Sequence, residues 1–106
     1  MATRARAVIW TLTARELLDE AVAHIALDSV DAAFRVLEVI LESADSLAYL
    51  SLRGRVVPEI GKQNVREIFV YSYRIMYEVE PSEVRILAVV HGARDFASWL
   101  GSHPRG

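Results

Sequence analysis

Cysteine is absent from this chain of 106 residues, which excludes disulfides and thiolate metal sites. That absence suits the cytoplasm, the expected location. No apolar run approaches the roughly 20 residues needed to span a bilayer, so no membrane association is expected. The amino terminus, MATRARAVIWTLTARELL, holds two arginines but no uninterrupted apolar region and no clear cleavage site, so no signal peptide is expected. His24, His91 and His103 are the only histidines, and none has metal-ligand spacing with another. Neither a metal nor a cofactor is expected. There is no glycine-rich phosphate loop, no Ser-His-Asp order, no internal repeat and no low-complexity tract.

Hydrophobic residues make up 53% of the chain, ample for one packed core. The length fits a single domain over residues 1–106, with residues 97–106 read as a short helical turn and a frayed tail. The net charge of −2 hides an uneven distribution. From Thr13 to Asp45 eight acids face two arginines, a balance of −6, while Arg4 and Arg6 add +2 and the chain from Ser46 onward another +2. Two solvated helix faces would explain this, as would separate surfaces for different partners. So acidic a chain is not a general nucleic-acid binder through net charge.

The stretch from Val65 to Phe96 organises the rest. Tyr73, Ile75, Tyr77 and Val79 alternate with Arg74, Met76 and Glu78, the period of a strand. Val84, Ile86, Ala88 and Val90 alternate with Arg85, Leu87, Val89 and His91, a strand apolar on both faces that belongs inside a sheet. Glu80-Pro81-Ser82-Glu83 fits a turn between them. Arg6 to Trp10 is a further short strand. Thr13 is expected to cap a first helix, with Glu16 as its capping-box partner and an end near Leu27. Asp28 and Ser29 offer a cap for a second helix, whose Val30, Ala33, Phe34, Leu37, Ile40, Leu41, Ala44 and Leu47 recur at helical period. One or two residues between the helices imply an antiparallel hairpin, laid with its apolar side on the sheet. Phe34→Asp is then expected to be among the worst single changes. Gly54 to Gly61 reads as an ordered connection with a short strand at Val56–Val57. The expected fold is α+β: a β-α-α-β-β-β chain with an amino-terminal helical hairpin on a small twisted antiparallel sheet.

His91 ends a central strand beside Gly92, Arg94 and Asp95, a place for an exposed polar group or for a strand-end hydrogen bond to a loop. The planar fork of Arg74 would clamp a phosphate, or pair with Glu59, Glu67 or Asp95; Arg66-Glu67 has the same two readings.

Gly54-Arg55-Val56-Val57-Pro58-Glu59, Arg66-Glu67-Ile68, Tyr73 to Val79, and Val90-His91-Gly92-Ala93-Arg94-Asp95 resemble, in that order and spacing, the RelE/ParE superfamily of toxins from type II toxin–antitoxin modules. The resemblance implies a toxin of a plasmid- or chromosome-stabilising module, held by a cognate antitoxin in a hetero-oligomer. In the RelE-like branch such proteins cut messenger RNA on the ribosome, and Arg74 and Arg94 occupy matching positions. Val65 and Glu67 stand where that branch has lysines, and Trp99 and Leu100 where it has a tyrosine. Another nuclease branch uses a glutamate, an arginine and a histidine, which Glu59, Arg74 and His91 imitate loosely. The motifs look more like the ParE-like branch, which poisons DNA gyrase without obvious catalytic residues. The expectation is a ParE-like inhibitor of gyrase, with RNA cleavage as the alternative and a non-toxic descendant that only binds antitoxin as a third. Arg66, Arg74, Leu87, Val89 and Arg94 are the expected partner-binding residues.

Overall fold

The two periodicities of the sequence reappear as seven elements in the computed structural model, which describes residues 5–92. These are β1 (Ala7–Trp10), α1 (Leu12–Ala26), α2 (Val30–Ser46), β2 (Arg55–Val56), β3 (Val65–Val70), β4 (Tyr73–Val79) and β5 (Glu83–His91). They build one sheet in the order β1-β5-β4-β3-β2. The α+β fold and the expected order of elements are therefore present. The sheet is mixed, however, and not antiparallel: β1 runs parallel to β5, while the other neighbours are antiparallel. The hairpin carries the chain from β1 to the far edge, and the meander walks back until its last strand arrives beside β1. The expected tail, with Arg94, Asp95 and residues 97–106, lies outside the described residues.

Helix α1 begins two residues earlier than its sequence signal. Thr11, and not Thr13, is the cap: its hydroxyl oxygen accepts from the Ala14 amide at 3.1 Å and donates to the Ile86 carbonyl at 2.8 Å. A hydroxyl that ties the helix start to the sheet outcompetes one that serves the helix alone. Ser29 caps α2 as expected, accepting from the Ala32 amide, and Asp31 sits in the first turn where the helix dipole favours a negative charge.

The helices bury Ala14, Leu18, Ile40, Ala44 and Leu47 against Ile68, Ile75, Tyr77, Val84, Ile86 and Val89 of the sheet. Phe34 is not among them: it is 66% exposed, with Val30 and Leu41 also in solvent. The apolar stripe of α2 is wider than the strip that can face a sheet, so Ala33, Ile40, Ala44 and Leu47 are buried and the neighbouring row is left outside. The expectation for Phe34→Asp is accordingly reversed.

A β-bulge overturns a second expectation. Met76 pairs with Ala88 but Tyr77 with Ile86, so Leu87 is the extra residue and the alternation of β5 inverts there. Val84 and Ile86 face the helices, but beyond the bulge Val89 takes that role, while Ala88 and Val90 turn to the opposite face with Val57, Val65 and Met76. The second face is thus a second core.

Candidate functional site

That second face carries a cluster of charge. Glu67 stands on β3 between Arg55 on β2, directly opposite, and Arg74 on β4, one pleat along. Side chains two apart across a pair lie on one face within reach of a long arginine. Both Glu67, 1% exposed, and Arg74, 5% exposed, are sealed in. Nε of Arg55 donates to one oxygen of Glu67 at 2.6 Å, and Nε of Arg74 donates to the other at 2.7 Å.

The connection from β2 to β3 supplies a second carboxylate. The Ile60 and Gly61 amides both donate to the Val57 carbonyl, and Gly61 takes a φ of 74°, the left-handed conformation natural to glycine. This tight turn lays Glu59 over Arg74, whose two terminal nitrogens donate to its two oxygens at 3.3 and 3.1 Å. That hydrogen bonding holds the Glu59 carboxyl below its ordinary pKa. Burial works against the charge of Arg74, but the hydrogen bonds from Glu59 and Glu67 outweigh it and raise its pKa. Gly54 lets β2 come close: a Cβ there would lie 2.5 Å from the Glu67 carbonyl oxygen and 2.6 Å from the Tyr77 hydroxyl. That hydroxyl accepts from the Gly54 amide, and burial pushes its pKa up.

Of the candidate nuclease residues, Glu59 and Arg74 meet, but His91 does not join them. His91 pairs across the sheet with Tyr73, their rings edge to face at 5.1 Å, on the side of the sheet opposite Arg74. Arg94 lies outside the described residues. Of the expected partner-binding residues, Arg66 braces its surroundings, donating to the carbonyls of Gln63 and Gly54. Leu87 is half-buried at the bulge, and Val89 is buried under the helices, where no partner can reach it.

The sequence reading missed an apolar surface elsewhere. Among the described residues strand β1 is an edge, and because the Ala7 amide donates to Ser82, just before β5, and the Thr11 amide to Ile86 within it, the backbone groups of Val8 and Trp10 point outward. Beside this edge runs a groove of about 450 Å³ whose lining includes the apolar Val8, Trp10, Leu18 and Leu41 and the charged Arg15 and Asp19. Leu41 joins it to the exposed Phe34 and Val30 on α2. The signal was present in α2, whose apolar positions outnumber what one face can bury. Among the described residues no group of histidines and carboxylates could hold a metal ion, and no helix is long and apolar enough to cross a membrane.

Comparison with known proteins agrees with this architecture. The chain matches the family described as the ParE toxin of the type II toxin–antitoxin system over residues 8–96. It is similar to a solved chain of a chromosomal ParDE toxin–antitoxin system from P. aeruginosa, with a TM-score of 0.68 and 21% identity, covering 82% of this chain and 96% of that one. It is also similar to a chain of the toxin–antitoxin complex RelBE2 from Mycobacterium tuberculosis, with a TM-score of 0.62 and 24% identity, covering 85% and 94%. No curated protein matches the chain.

Proposed function

Since the chain belongs to the ParE toxin family of type II toxin–antitoxin systems, we propose that it arrests growth in the cytoplasm by poisoning DNA gyrase, within a module that stabilises a plasmid or chromosome. The observation that carries this reading is the state of Arg74. An RNA-cleaving site would aim this guanidinium at a scissile phosphate; here it is buried and bound by both oxygens of Glu59 and by Glu67. Two carboxylates at that position repel a phosphate and give no group poised to stabilise a phosphorane. His91, a possible proton carrier, lies on the other face.

The same reading gives the chain a cognate antitoxin. The row Val30, Phe34 and Leu41 with the groove beside β1 forms an apolar lane suited to an amphipathic helix followed by a strand. Acids such as Asp31, Glu38 and Glu42 flank that row and favour basic residues on the partner.

Freed from its antitoxin, the protein should block supercoiling by purified gyrase and trap cleaved DNA, while messages on ribosomes stay whole in induced cells. Codon-periodic cuts in primer extension, lost on Arg74→Ala, would replace this reading with RNA cleavage.

A further inference from the structure

Among the described residues the two edges of the sheet are finished differently. Proteins blunt an exposed edge by making it short, charged or bulged, because its free backbone groups are a template for another strand. Edge β2 follows that rule with two residues, one of them Arg55. Edge β1 does not: Ala7-Val8-Ile9-Trp10 has no charge, proline or bulge, and Ile9 is 43% exposed. The free groups along it are few and fixed in place. Val8 and Trp10 turn theirs outward, whereas the Arg6 amide before them is taken by the Ala48 carbonyl. After them the chain enters α1 at Leu12. A strand laid on this edge therefore has only Val8 and Trp10 to bond.

We infer that β1 pairs antiparallel with β1 of a second copy of this chain, across a two-fold axis at Ile9. No other register satisfies the edge. In an antiparallel ladder, facing residues exchange both bonds at alternate positions. With Ile9 opposite Ile9, Val8 faces Trp10 of the second copy and Trp10 faces its Val8, so every free group is used. Centring on Val8 would set Trp10 against the occupied Arg6, and centring on Trp10 would set Val8 against helical Leu12. Facing residues share a face, so the helices of both copies lie on one side and the two grooves meet.

The charges in the groove choose the occupant. Arg15 and Asp19 both line it, one turn apart on α1. Among the described residues neither side chain is in an ion pair. A basic segment would be repelled by Arg15, and an acidic one by Asp19. A second copy brings both signs in reverse order, Arg15 to Asp19 and Asp19 to Arg15, as a two-fold contact requires. The pairing stands on this geometry and not on the toxin reading. It closes the lane assigned above to the antitoxin, which must displace it.

Sedimentation velocity of the chain without antitoxin should show a dimer that dissociates on dilution. The Val8 and Trp10 amides should exchange with deuterium more slowly as concentration rises. Ile9→Lys sets like charges face to face on the axis and should weaken the dimer at least ~100-fold, with the melting temperature of the dilute chain unchanged. Arg15→Asp and Asp19→Arg, each alone, place like charges across the axis and should also weaken it. The double variant should recover wild-type association, because exchanging the two signs leaves a two-fold contact complementary. A wild-type chain that stays monomeric up to millimolar concentration would overturn the inference and leave the toxin reading untouched. A dimer that survives Ile9→Lys would overturn it too, since another surface would then hold the copies together. So would a double variant that fails to re-associate.

Discussion

On the helix side of the sheet Ile40, Leu47, Ile75 and Ile86 pack together, whereas on the other side Glu67 and Arg74 are sealed in beside Val57, Val65 and Met76. The first face is held by apolar area, which is non-directional and lost gradually as atoms are removed. The second is held by hydrogen-bonded charge, which fails abruptly when one member is missing. The difference also bears on function: the arginine best placed for catalysis is consumed in closing the sheet.

Removing a carboxylate from the charged face should have the largest effect. Glu67→Ala leaves two guanidinium groups without their shared partner and should cost about 3–5 kcal/mol in denaturant unfolding. A loss under 1 kcal/mol would make the two faces energetically alike. Next comes Gly54→Ala, whose Cβ meets backbone and a buried tyrosine; like other overpacked sites it should cost about 1–3 kcal/mol and shift the melting temperature down. On the apolar face Ile75→Val removes one methylene and should cost only about 0.5–1.5 kcal/mol. Phe34→Asp should stay within about 0.5 kcal/mol of wild type, as exposed sites do. Calorimetric binding should nevertheless show weakened affinity for the antitoxin, because the change puts a charge in the apolar lane. The smallest effect is in pH. Glu59 binds its proton more weakly folded than unfolded, so its contribution is complete above the ordinary carboxylate range and lost as pH falls through its lowered value. Glu59→Gln should flatten that acid limb of the stability profile, read by unfolding at several pH values; an unchanged limb would show that other carboxylates control it.

The sequence by itself determined what is local or periodic. Alternation at two residues marked β4, the apolar period and Ser29 marked α2, and Glu80 to Glu83 marked a turn now closed by the Glu80 amide on the Glu83 carbonyl at 2.8 Å. It also held, in motif order, the resemblance that the family match supports. Tertiary structure alone decided the rest. Whether Phe34 or Ile40 is buried depends on which side of a helix meets the sheet, and period cannot tell neighbouring rows of one apolar stripe apart. Val89 changed faces because a bulge inserts a residue, and alternating apolar letters read the same in either register. Thr11 displaced Thr13 because its hydroxyl reaches Ile86, which is 75 positions away in the chain. Arg74 became a structural ion pair for the same kind of reason. Its partners come from another strand and from a loop, and only their meeting in space settles whether an arginine awaits a phosphate or already holds a carboxylate.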